Sequence, residues 1–141
     1  MEKTFHEILA FDRLCFPMDY WKEEDWAELL EDEKTILYTR RDNEKLIGLL
    51  AIYDHGPGSY VKIMTLAVHP KHRGKGLATS LMEEMHREMD DKGRDRYTGE
   101  TRRSNQPMRQ LFERLGYTPW AIVPLYYTNP IETAIKYQRT K

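Results

Sequence analysis

Residues 65–85 read TLAVHPKHRGKGLATSLMEEM and change character twice. An apolar, strand-like run stops at His69-Pro70, a basic turn carrying Gly74 and Gly76 follows, and from Leu77 apolar residues recur at helical spacing. A strand that ends in a loop opening a helix gathers unpaired backbone N–H groups and the positive end of the helix dipole around one point, which attracts phosphate. Gly74 and Gly76 let an anion approach the backbone and tolerate the φ angles such a nest requires, while Arg73 and Lys75 add charge. A solvated basic loop is the competing reading, and the flanking strand and amphipathic helix favour the cradle over it. The stretch is not a Walker A loop, and Gly74-x-Gly76-x-x-Thr79 lacks the third glycine of a dinucleotide fingerprint.

Downstream, Leu77, Ala78, Leu81, Met82, Met85 and Met89 make one helix face and Glu83, Glu84, Arg87 and Glu88 the other, with Gly93 as the stop. RYTGET (96–101) reads as a strand that brings Glu100 to its end. Ser104 and Asn105 offer caps for a shorter helix with Pro107 in its first turn, Met108, Leu111, Phe112 and Leu115 buried, and Gly116 as its end. YTPWAIVPLYY (117–127) and ETAIKYQRT (132–140) are two more strands, parted by Asn129-Pro130. Upstream, YVKIMTLAV (60–68) leads into the basic turn, while TILYTRR (35–41) and KLIGLLAIYDH (45–55) form a hairpin about Asp42-Asn43. Phe5, Ile8, Leu9 and Leu14 predict a helix from Lys3 to Cys15, ended by Pro17. A second helix is expected from Tyr20 or Trp21, with Trp26, Leu29 and Leu30 apolar and acids in its first turns. The order of elements predicts one α/β (α+β) domain over residues 1–141 with a mixed sheet.

At 141 residues the chain can bury a core without disulfides or a structural metal. The 22 Lys and Arg nearly cancel the 23 Asp and Glu, which removes any global pull toward nucleic acid or membrane and leaves anion binding to local sites. The single cysteine, Cys15, lies between Leu14 and Phe16, fits a reducing compartment and reads as a core side chain. No apolar run approaches membrane-spanning length and the MEKTFHEIL start carries acids, so a cytoplasmic location is expected. His69-x-x-His72 lacks a third ligand and faces cations, so no metal is expected.

Arg73-Gly74-Lys75-Gly76-Leu77-Ala78 matches the R/Q-x-x-G-x-G/A signature of the GNAT superfamily of acyl-CoA-dependent N-acyltransferases, and VHP precedes it as it often does there. ETRRSN (100–105), followed by MRQLFERLGY (108–117), resembles that family's second segment, most closely in the ribosomal-protein N-terminal acetyltransferases. The resemblance covers about residues 63–117 and implies a central mixed, mostly antiparallel sheet flanked by helices. It implies an acetyl-CoA site in which the backbone of Leu66, Ala67 and Val68 pairs with the pantetheine arm and polarises the thioester carbonyl. Arg73, Gly74, Lys75, Gly76, Leu77, Ala78 and Thr79 would hold the pyrophosphate, and Asn105 would bond the cofactor arm. A helix N-cap is the structural alternative for Asn105.

The reaction so implied is acetyl transfer to a primary amine by direct attack, which needs the amine neutral and therefore a base. Glu100 stands where the resembling segment carries its carboxylate, with an ion pair to Arg102 or Arg103 as its alternative role; His69, His72 and Glu23 are weaker candidates. Phe112 departs from the family, which commonly has a tyrosine there to protonate the departing thiolate; Tyr117, Tyr126 or Tyr127 could stand in. Because of Phe112, a non-catalytic acyl-CoA sensor or regulatory module is the alternative function. Glu23, Glu24 and Asp25 with Trp21, Trp26 and Tyr53 could line a cleft for a cationic acceptor, either a peptide α-amine or a small molecule. The first helix pattern begins almost at once, so the family's usual first strand is expected to be missing, which would leave a sheet edge open to a second copy.

Overall fold

The apolar run Leu46–Ile52 lies within a strand buried on both faces, and the chain is arranged around it. In the computed structural model, which describes residues 2–140, the order is α1 (Glu2–Cys15), α2 (Glu23–Glu31), β1 (Thr35–Asp42), β2 (Lys45–Asp54), β3 (Val61–Val68), a 3-10 turn (Pro70–His72), α3 (Leu77–Asp91), β4 (Arg96–Arg102), α4 (Gln106–Arg114), β5 (Thr118–Thr128) and β6 (Ile131–Thr140). The strands form one six-stranded sheet in the order β1-β2-β3-β4-β6-β5. All neighbours are antiparallel except β3 and β4, joined by the α3 crossover, so the sheet is mixed as expected.

Helices α3 and α4 cover one face, where Leu81, Met82, Met85, Met89, Leu111 and Phe112 pack on Leu50, Ile52, Ile63, Tyr97 and Tyr137. The methionine stripe is therefore core. Helices α1 and α2 cover the other face only over β1 to β3, where Ile8, Phe11, Trp26 and Leu29 meet Leu46, Leu49, Ala51 and Ala67. No described helix residue joins that core over β4, β6 and β5, so that half of the sheet face is bare.

Two details of the helices differ from the sequence reading. Leu14 is 50% exposed, because Ile8, Phe11 and Cys15 at i, i+3 and i+7 make the buried stripe and Leu14 falls beside it. Helix α2 begins at Glu23, not at Tyr20 or Trp21: the buried Asp12 carboxylate accepts from the Trp21 N–H (2.8 Å) and from Trp26 Nε1 (2.9 Å), fixing the approach to the helix. Burial raises the Asp12 pKa, and the two donors oppose that shift.

Candidate active site

Two irregularities open the sheet above the basic turn. β3 pairs with β4 only at Val61↔Tyr97 and Lys62↔Thr98, and the strands part beyond those residues. Met64 is the extra residue of a bulge, since Ile63 faces Ile52 while Thr65 faces Ala51, and a bulge bends its strand. The edge of β3 turned toward β4 beyond Lys62 thus keeps backbone groups without a strand partner. The opening holds two cavities that meet end to end, one of about 360 Å3 beside β4 and one of about 600 Å3 beside α3 and α4. Phe16, Leu66, Asn105 and Met108 line both.

The larger cavity is lined by Arg73, Gly74, Gly76, Leu77, Ala78 and Thr79. Gly74 and Gly76 have φ of +78° and +81°, and a Cβ built on either meets no atom within 4 Å. Backbone conformation, not crowding, demands glycine there, and the space above is open. The Ser80 N–H bonds the Gly76 carbonyl at 3.0 Å, whereas the N–H groups of Leu77, Ala78 and Thr79 precede this first intrahelical donor and have no acceptor within the helix. An open concavity with free N–H groups at the positive end of a 15-residue helix fits a pyrophosphate.

Arg73 serves this turn differently from a simple cation. Its Nε donates to the Val68 carbonyl (3.0 Å) and its Nη2 to the Cys15 carbonyl (3.3 Å), tying the turn to β3 and α1. Lys75 is exposed and outside the lining, and Ala67 is 2% exposed with its side chain in the α1–α2 core, so only its backbone is available to the opening. Leu66 and Val68 line the opening, with the Val68 carbonyl also accepting from the Cys15 thiol at 3.5 Å. Cys15 is buried, and burial pushes its thiol pKa up, as a core side chain requires. Asn105 caps α4 through Oδ1 to the Met108 N–H (3.2 Å) while lining both cavities, so its two expected roles coexist.

Alternation along β4 buries Tyr97, Gly99 and Thr101 and turns Thr98, Glu100 and Arg102 to the opposite face. Glu100 lines the smaller cavity. Its alternative partner is engaged elsewhere: Arg102 donates to both Asp19 oxygens (2.7 and 2.6 Å), to Glu132 (3.3 Å) and to the carbonyls of Pro130 and Asn129. Arg103 is exposed, and no cation forms an ion pair with Glu100 among the described residues. The Tyr126 hydroxyl is hydrogen-bonded to Glu100, the foremost cause of a tyrosine pKa pushed up to about 12.

Phe112 is fully buried, stacked on Tyr137 at 4.8 Å, with its Cζ in the space that a side chain at Gly99 would need. Tyr117 cannot stand in for a tyrosine there, because its hydroxyl lies 2.7 Å from His86 Nε2 inside the α3 core. Tyr126 and Tyr127 do line the cavity, the latter under the Arg102 guanidinium at 4.5 Å. His69 is 7% exposed and accepts from the Lys71 N–H, and desolvation followed by Lys45 lowers its pKa; it caps the turn. His72 lines the larger cavity, away from Glu100. Among the described residues no group of three or more His, Cys, Asp or Glu converges, and no helix is long and apolar enough to cross a membrane.

Of the expected acceptor residues, Trp21 lines the smaller cavity, and Trp21, Asp25 and Tyr53 line an adjoining cavity of about 750 Å3, which shares Lys62 and Met64 with it and is also lined by Glu28 and Asp32. Trp26 is fully buried, and Glu23 and Glu24 stand exposed outside the cavities, so those three are withdrawn from the cleft. The residues missed are Phe16, Asp19 and Met108; Phe16 lies just before the Pro17 stop, and Met108 reads in the sequence only as part of the buried face of α4.

The sheet is thus split between parallel neighbours, with the glycine turn and the start of α3 on one side of the split and Glu100, which forms no ion pair among the described residues, on the other, an arrangement open to an extended anionic cofactor. The model of the acetyltransferase (GNAT) family matches residues 3–117, and the chain belongs to that family of acetyl-CoA-dependent N-acetyltransferases. A Bacillus subtilis (strain 168) protein named for a proposed [ribosomal protein bS18]-alanine N-acetyltransferase activity is 27% identical over 128 residues, 91% of this chain and 83% of its own. The crystal structure of the ribosomal-protein-S18-alanine N-acetyltransferase from Escherichia coli superposes with a TM-score of 0.89 at 21% identity, covering 99% of this chain and 89% of that one. A chain of the NatC complex bound to Gag peptide and CoA does so with 0.84 at 23% identity, covering 100% and 92%.

Proposed function

We propose that the protein acetylates the α-amine of a peptide or protein N-terminus, with Glu100 as general base. The carrying observation is that Glu100 lines the opening between β3 and β4 free of the arginine that could have neutralised it, because Arg102 is held by Asp19 and Glu132. The likeness to a bS18-alanine N-acetyltransferase supports the choice of a peptide α-amine. Titration supports it as well: an α-amine of pKa about 8 is roughly one-tenth neutral at pH 7, whereas a lysine of about 10.4 is neutral in well under one molecule in a thousand. The demand on one half-buried carboxylate is correspondingly small.

The bound acetyl-CoA supplies an activated acyl group as its thioester. The first turn of α3 and Gly74 and Gly76 hold the phosphates, while the unpaired edge of β3 about Leu66 and Val68 aligns the arm and offers fixed N–H donors to the acyl oxygen. Asn105 bounds the arm between the cavities. Glu100 accepts the proton of the amine, directly or through a water, and the carboxylate regenerates by release to solvent. Phe112 donates no proton, and a thiol with a pKa near 8.5 is an adequate leaving group without one. That same phenylalanine sustains the second reading, a non-catalytic acyl-CoA sensor.

Glu100→Gln is expected to lower kcat by about 10²–10⁴-fold with acetyl-CoA affinity within twofold of wild type. An unchanged rate removes Glu100 from the mechanism. Absence of thiol release by the wild type across a panel of free-N-terminus peptides, with acetyl-CoA still bound, favours the sensor.

A further inference from the structure

Below Glu100 the bare half of the sheet face carries a cluster of cations that the transfer chemistry does not use. A cavity of about 330 Å3 lined by Tyr60, Lys62, Arg96, Thr98, Trp120 and Lys136 also reaches Gly99 and Glu100, and so opens directly from the site. The register explains how the group assembles. Thr98 and Arg96 precede Glu100 at two-residue intervals on the same face, Lys62 pairs with Thr98, and Lys136 pairs with Glu100. Lys62, Arg96 and Lys136 belong to no ion pair among the described residues, and Lys136 leans over the Tyr126 ring at 5.4 Å. Trp120, the extra residue where Pro119 faces Tyr137 and Ala121 faces Lys136, is 54% exposed beside them.

We infer that the acceptor is a peptide with an acidic residue shortly after its reacting N-terminus, laid along β4 so that the acid meets Lys62 or Arg96. This rests on the peptide α-amine reading above. An extended peptide rises about 3.3 Å per residue, as β4 does, so an amine at Glu100 places the third residue near Thr98 and Lys62 and the fifth near Arg96. Among the described residues Glu100 is the only carboxylate lining this cavity, and the amine itself answers its charge. The neighbouring cavity on the α2 side, which shares Trp21, Lys62 and Met64 with the smaller cavity but not Glu100, mixes Asp25, Glu28 and Asp32 with Lys22 and Lys62 and so lacks the net positive charge.

The test uses hexapeptides with free N-termini that differ only in Asp, Ser or Lys at positions three and five, followed by thiol release, with calorimetric titration of the N-acetylated products as a reading independent of turnover. The aspartate peptide is expected to exceed the serine peptide about fivefold in kcat/KM, mainly through KM, and to bind correspondingly tighter as product. The advantage shrinks in high salt and reverses toward the lysine peptide in the double variant Lys62→Glu/Arg96→Glu. Both residues are solvent-accessible, and a thermal melt checks that the variant folds. Equal use and binding of all three peptides, binding of none, or a wild-type preference for lysine overturns the inference. If no peptide is acetylated while the acidic product binds the wild type and not the variant, the acidic-peptide surface stands and the α-amine reading falls.

Discussion

Gly76 and Gly93 offer a matched pair for testing the anion cradle. Their φ angles are +81° and +83°, and a Cβ built on either meets no atom within 4 Å, so alanine imposes the same left-handed strain at both. That strain is worth roughly 1–2 kcal/mol, a melting-point drop of about 3–6 °C for a chain of this size. Only Gly76 lines the larger cavity; Gly93 lies past the far end of α3. At Gly76 the added methyl enters the space that the phosphates need and weakens at least one charge-assisted hydrogen bond, worth about 1.5–3 kcal/mol. Gly76→Ala should therefore lose about tenfold to hundredfold in affinity for coenzyme A, and Gly93→Ala less than twofold, for similar losses in Tm. Scanning fluorimetry gives the melts and isothermal titration the affinities, both at a temperature where each variant is folded. Equal affinities in the two variants would refute the placement of the phosphates.

Two further outcomes follow from the α3 core. Gly99→Ala brings a Cβ within 2.7 Å of Phe112 Cζ and 3.0 Å of Cε1, so overpacking should cost about 1–3 kcal/mol, read as a lowered denaturation midpoint; an unchanged midpoint means that Phe112 is not wedged against β4. His86, 5% exposed beside Tyr117, has its pKa lowered to about 4, first by desolvation and then by Arg139. Because the unfolded chain binds this proton near pH 6.5 and the folded protein does not until about 4, His86 costs no stability above pH 6.5 and about 2 kcal/mol by pH 5. The wild-type Tm should fall more steeply from pH 7 to pH 5 than that of His86→Gln, which keeps a hydrogen-bonding group for Tyr117, and parallel curves would exclude the shift.

The readability of this chain follows from how local each signal is. The methionine stripe, the glycine turn and the Asn105 cap are written within a few residues each, and the structure carries all three. The strand read in RYTGET also placed Glu100 near the end of β4. What escaped depends on partners far along the chain. The return of β6 between β4 and β5, the Met64 bulge that parts β3 from β4, and the diversion of Arg102 to Asp19, 83 positions away, leave no mark in any short window. Trp26 and Asp25 sit one residue apart on α2, yet one is core and the other lines a cavity; composition grouped them, and helix rotation separates them.

The Arg102 clamp has a bearing on how acceptor range can change. One guanidinium, two positions from Glu100 on the same face of β4, grips Asp19 in the segment before α2 and Asn129, Pro130 and Glu132 at the β5–β6 turn. Both banks of the smaller cavity are moored to the strand that bears Glu100, the proposed base. Widening the aperture on one bank slackens the other, so a shift in acceptor size would require coordinated replacements in both segments and at position 102, whereas a change of acceptor charge needs only the open sheet face below.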